Sequence, residues 1–293
     1  MEKLLDKIPL ANAVLKGVGQ IMLQENSYTG LLFLAGLFIG GWQYGAAALL
    51  AALIGTITAK LLQYSNSETN AGLYGFSPAL VGVALVFLFE ASPLVWLIIV
   101  GGSAFAAVLQ HFFIVRKIPV YTFPFIAITW LLVWLLHNAA FAPAQNSLPF
   151  ETPLDNTYLL MVLNGYGEVI FQVGLIPSLL FFIAVFIGNK IAAFYGLAAS
   201  LLGALLSLAW GQDIETVQAG LFGFNAVLTA LVFAGNTKQH ALWVVVGVLI
   251  TIALNNLFVD WNVFTIVGGV FTFPFVAGTW ITLLLKQQIS SSK

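Results

Sequence analysis

Stretches of this chain long enough to cross a bilayer run without a single Asp, Glu, Lys or Arg: 26–59, 91–115, 118–150, 169–189, 191–212, 216–237, 239–259 and 261–285. Roughly 20 helical residues, rising about 1.5 Å each, span the hydrocarbon layer. Lipid offers no partner to a backbone N–H or C=O, so such a segment must satisfy its own peptide groups, which a helix does internally. Charged residues make up 7% of the 293, against about 25% in soluble domains. The expected class is an all-α, multi-pass integral membrane protein with the lipid bilayer as its first partner.

The opening decapeptide, MEKLLDKIPL, runs straight into helical sequence, and no cleavable signal is expected from it. Lysines stand near both ends, Lys3 and Lys7 against Lys286 and Lys293. Basic residues tend to stay inside, which puts both termini in the cytoplasm and calls for an even number of spans. A net charge of −1 leaves no polybasic patch, so no nucleic-acid partner is expected. Zero cysteines exclude disulfides, iron–sulfur clusters and thiolate zinc, while leaving the redox compartment open.

One half of the chain is written twice. GLYGFSPAL (72–80) returns as GLFGFNAVL (220–228), a shift of 148 residues. The same shift lays Gly19, Gln24, Leu31, Leu32, Phe33, Phe38, Ile39 and Gly40 on identical residues in the second half. A shift of 150 lays TFPFIAITW (122–130) on TFPFVAGTW (272–280). The sequence thus divides into a first repeat (1–141), a polar connector (142–157) and a second repeat (158–293), together one transmembrane domain around a central pore. Each repeat holds about five full spans, and the region 76–114 is expected to break near EASP (90–93). An odd span number per repeat inverts the second copy relative to the first, an architecture of transporters whose site lies near the bilayer midplane.

Gly72, Gly75, Gly220 and Gly223 precede apolar runs that read as half-membrane helices. Two readings are open: small residues letting helices pack closely, or non-helical backbone permitted because it lines a cavity. Glu168 carries the one charge between Asp155 and Lys190, and its repeat mate is Gln20. An ionisable group so placed marks a pathway by default; the alternative is an interfacial or helix-capping role. Helical spacing puts Leu23 and Gln24 on the face of Gln20, and Phe171 and Gln172 on that of Glu168. Phe76 with Leu80, and Phe224 with Leu228, pair at i, i+4. Thr122 and Thr272 precede prolines in apolar runs, where a hydroxyl either satisfies a freed carbonyl or faces a pore. Thr129 and Thr279 are expected to bond back to their own helices.

No helical His pair, Gly-x-Ser-x-Gly, phosphate-binding Gly-x-x-x-x-Gly-Lys loop or Glu-x-x-His is present, so neither an enzyme nor a cofactor is expected. His111, His137 and His240 meet no histidine under the shift, and Asp213 and Glu215 read as a solvated loop. No Lys, Arg or Asp accompanies Glu168 in the apolar segments, which favours a neutral solute over ion coupling. Phenylalanine constrictions edged by oxygen acceptors suit a flat solute with donors on its rim. Spacing alone does not choose among small neutral solutes.

GLYGFSPALVGVAL, GLFGFNAVLTALVF, IPVYTFPF (118–125) and GGVFTFPF (268–275) resemble the urea transporter family, whose typical phrase is Leu-Pro-x-x-Thr-x-Pro-Phe. The likeness covers essentially the whole chain and is similar to the bacterial members, which lack the long tails of mammalian ones. It implies passive, channel-like transport of urea and close analogues by a homotrimer in a bacterial inner membrane. Each subunit would hold two inverted halves, about ten spanning helices, two half-membrane pore helices and its own pore. Gln20 and Glu168 would mark the ends of the filter and Thr122 and Thr272 its middle. Phe76, Leu80, Phe224 and Leu228, with Leu23 and Phe171 opposite, would form its walls. Channels for ammonia, water or short amides are the alternative. Ile118 stands in place of the motif leucine and Gly269–Val270 in place of its Pro-x pair. Leu23 stands where the second repeat has Phe171.

Overall fold

The computed structural model describes residues 7–139 and 157–291. Residues 142–156 of the connector lie outside them. The chain forms two compact units, Met1–Pro149 with Ile266–Gly268, and Phe150–Thr265 with Gly269–Lys293. No extended strand occurs among the described residues.

In the first unit the helices are α1 (Pro9–Gly19), α2 (Ser27–Gly40), α3 (Trp42–Leu61), α4 (Asn66–Asn70), α5 (Phe76–Leu88), α6 (Pro93–Val115) and α7 (Phe123–Ala139). In the second they are α8 (Thr157–Gly167), α9 (Leu175–Gly188), α10 (Lys190–Trp210), α11 (Ile214–Gln218), α12 (Phe224–Phe233), α13 (Lys238–Asp260) and α14 (Phe273–Ser291). The order of long and short elements is the same twice. α1 and α8 each run into a short 3₁₀ turn, Gln20–Met22 and Glu168–Ile170. The break expected near 90–93 falls between Leu88 and Pro93, where the Ser92 hydroxyl accepts from the Val95 N–H and Pro93 opens α6. Side-chain oxygens of Asn26, Asn189 and Thr237 cap α2, α10 and α13 in the same way.

α3, α6, α10 and α13 are long and apolar enough to cross a membrane; Leu159–Ile170 and Leu175–Gly188 reach that length and apolarity only together, across a 76° bend. α5 and α12, of 13 and 10 residues, reach only roughly 20 and 15 Å, well short of the hydrocarbon thickness. Both are enclosed. α5 packs against α3, α6 and α7, and α12 against α10, α13 and α14. Every residue of α5 from Phe76 to Val86 is buried, so its uniform hydrophobicity reflects a core position and not a lipid-facing one.

Small residues make that enclosure possible. Ala47, Ala48, Ala51, Ala52, Gly55 and Ala59 form the buried face of α3. A Cβ on Gly82 of α5 would come within 2.7 Å of the Ala47 carbonyl oxygen. Ala193, Gly196, Ser200, Gly203 and Ala204 do the same for α10. Leu97 and Phe105 on α6, Phe194 on α10 and Leu242 on α13 point outward, as side chains meeting acyl chains do.

Candidate functional site

Both 3₁₀ turns end in the same unusual way. Leu23 and Phe171 have left-handed backbone, with φ of 61° and 57°. The Leu23 and Gln24 N–H groups donate to the Gln20 and Gly19 carbonyls, and those of Phe171 and Gln172 to the Glu168 and Gly167 carbonyls. This double closure normally has glycine at the left-handed position; a side chain there costs roughly 1–2 kcal/mol. Helical spacing therefore fails beyond Met22 and Ile170. Gln24 and Gln172 do not extend the faces of Gln20 and Glu168. They turn back instead, donating to the Met22 and Phe171 carbonyls.

In the first unit Gln20 Nε2 donates to the Ala71 carbonyl at 3.0 Å. That ties the end of α1 to the glycine turn that starts α5. Gly72 has φ of +82°, and a Cβ there would lie 2.3 Å from the Gly17 nitrogen. The close-packing reading of these glycines holds, and the turn needs left-handed backbone as well. Phe76 opens α5 with no side chain capping it. Leu80, one turn on, is wholly buried. Thr122 is buried, directly after Tyr121, which is left-handed at φ 50°.

The second unit repeats the arrangement with one change of chemistry. Glu168 is buried, and its side-chain Oε1 is enclosed without a hydrogen-bond partner. Glu168 has no amide hydrogens to give to Ala219, the mate of Ala71. Gly220 has φ of +92°, and a Cβ there would meet the Asn164 carbonyl at 2.5 Å. Phe224 starts α12 uncapped by any side chain, and Leu228 is wholly buried. Buried Thr272 follows Phe271, again left-handed at φ 45°. The Phe171 and Phe271 rings meet edge to face, centroids 6.1 Å apart, a favoured aromatic geometry. Two left-handed residues thus bring the 3₁₀ turn beside the threonine turn.

Tyr121 and Phe271 were not singled out from the sequence. The available signal was an aromatic residue before the threonine in both copies of the motif. Thr129 and Thr279 do not bond back to their helices: both hydroxyls are buried and without a partner. Asp213 caps α11 through the Glu215 and Thr216 N–H groups. Among the described residues no group of three or more His, Cys, Asp or Glu is placed to hold a metal ion.

Membrane-crossing helices, enclosed half-length helices begun by glycine turns, and a buried carboxyl with an unused oxygen define a multi-pass membrane transport protein. Residues 11–287 match the urea transporter family, and the chain belongs to that family. It is similar to Urea transporter 1 of Capra hircus and of Ovis aries, each 26% identical over 296 residues covering 94% of this chain and 77% of the relative. It is also similar to Urea transporter 1 of Rattus norvegicus, 26% identical over 238 residues. That match covers 76% of this chain but 62% of the rat protein, less than two thirds of its length.

Proposed function

We propose that this chain passes urea down its gradient through a narrow slot edged by hydrogen-bond acceptors. The observation carrying this is the unused Oε1 of Glu168, an acceptor enclosed in an apolar unit with nothing to accept. Urea is flat and has four N–H donors on its rim. Leaving such a donor unpaired in an apolar passage costs on the order of 2–7 kcal/mol, so a route must supply acceptors in line. Glu168 Oε1 serves one end and Gln20 Oε1 the other, the Gln20 amide hydrogens being turned toward Ala71. The Thr122 and Thr272 hydroxyls serve the middle.

Phe76, Phe224, Phe171 and Leu23 form the slot's flat walls, and Leu80 and Leu228 stiffen them from behind. The walls exclude hydrated ions, which would shed water with no compensating charge. In this reading the two repeats are inverted, about ten helices cross the membrane, and three subunits associate, each with its own pore. Both ends face the cytoplasm, as the terminal lysines favour, and a bacterial inner membrane is the setting.

Purified protein in liposomes tests this by stopped-flow light scattering. Urea entry far faster than in empty vesicles, and unsaturated at low millimolar concentration, is expected. Entry at the empty-vesicle rate would overturn the reading. Acetamide, glycerol and water measured in the same vesicles decide whether the slot belongs to urea or to small neutral solutes generally.

A further inference from the structure

α12 carries a polar side chain that the path described above does not use. Asn225, one residue after Phe224, is almost wholly buried. Its Nδ2 donates to Asn255 Oδ1 at 3.1 Å and to the Phe271 carbonyl at 3.2 Å. Its Oδ1 accepts from the Phe275 N–H at 3.1 Å. One amide therefore holds the turn carrying Thr272 from both sides: the carbonyl of the left-handed residue before it and the first-turn N–H of α14 after it. Asn255 is itself anchored, its Nδ2 donating to the Leu221 carbonyl in the glycine turn at 3.2 Å.

The first unit has a related pair at the equivalent positions. α6 and α13 are equal in length and start 145 residues apart, so Gln110 is the mate of Asn255, and Ser77 that of Asn225. Ser77 Oγ donates to Gln110 Oε1 at 3.3 Å. A hydroxyl has one hydrogen to donate, and Ser77 spends it on this pair. An amide with two hydrogens and an acceptor oxygen adds the grip on the threonine turn.

We propose that Asn225 is a positioning residue for solute selection, fixing the width of the second unit's part of the slot. It does so by locking the Phe271–Phe275 turn to the first turn of α12. Neighbouring residues on a helix point about 100° apart. Bonds at Asn225 therefore also set the rotation of α12 about its own axis, and with it the direction of the Phe224 ring. The proposal rests on the slot reading above.

The test is the ratio of urea to methylurea flux in proteoliposomes. Asn225→Ser, which installs the first unit's residue, is expected to lower that ratio at least threefold, because a wall freed to move admits the bulkier solute. Asn255→Ala leaves both bonds from Asn225 to the turn intact and is expected to keep the ratio close to wild type. Should Asn225→Ser be recovered too poorly to reconstitute, Asn225→Asp carries the same expectation. It keeps shape and the Phe275 acceptor while losing both amide hydrogens. An unchanged ratio at Asn225, or an equal fall in the Asn255 variant, overturns the proposal. Wild-type protein without urea flux would instead end the slot reading itself.

Discussion

Leu23 and Phe171 hold a backbone conformation that asks for glycine, and Glu168 leaves an oxygen without a partner where burial makes that expensive. Local departures of this kind persist where the side chain is needed for something other than stability. Leu23 is partly exposed, so replacing it removes little packing. Leu23→Gly is expected to leave thermal stability in detergent unchanged, or to raise it by up to about 1 kcal/mol through relief of the left-handed strain, while urea selectivity over methylurea falls. A clear drop in melting temperature would show that Leu23 is there for packing. Glu168→Gln gives the second unit an amide able to reach the Ala219 carbonyl as Gln20 reaches Ala71. It should fold as well as wild type yet pass urea roughly fivefold more slowly, the equivalent of about 1 kcal/mol for one hydrogen bond. Wild-type flux in that variant would remove the carboxyl from the path. The pairing of Gln20 with Glu168 was legible in the sequence because a simple shift exposes it. The left-handed turns were not, since neither Leu nor Phe signals positive φ, and helical spacing was carried two residues too far in each copy.

α5 and α12 depend on neighbours close enough to exclude a methyl group. Gly220→Ala would force a Cβ to within 2.5 Å of the Asn164 main chain, in backbone already at φ +92°. Loss of most folded protein, read as collapse of the monodisperse peak in fluorescence-detected size exclusion, is expected. Gly101→Ala is the matched control. It lies in α6 with nothing within 4 Å of the added atom, and should gain roughly 0.5–1 kcal/mol from helix propensity. Equal tolerance of both substitutions would mean that the close approach at Gly220 is not maintained in solution. The half-helices themselves were readable from glycine placement and from the break before Pro93. The Ser77–Gln110 and Asn225–Asn255 correspondence was hidden. α12 is three residues shorter than α5, which slides the register from 148 to 145 before the threonine motif restores it to 150. A constant shift misses pairs on the two longest helices.

For the whole molecule, the sequence legibly supplied an all-helical membrane protein with a duplicated plan and a family resemblance that the comparisons bear out. Charged residues make up only 7% of the chain, and long-range steering acts through charge. Urea flux is therefore expected to be unaffected by ionic strength between low and physiological salt, measured by stopped flow at matched osmolarity. A strong salt dependence would point to a charged mouth.

The enclosed Oε1 of Glu168, unpaired with any protein donor, also has a thermal consequence. A passing molecule that must first displace an internal partner meets an enthalpic barrier, and its rate climbs steeply on warming. On the proposed reading, Glu168 Oε1 has no protein donor to give up, so passage should speed up on heating only about as much as free diffusion in water does, and the channel would work nearly as well in the cold.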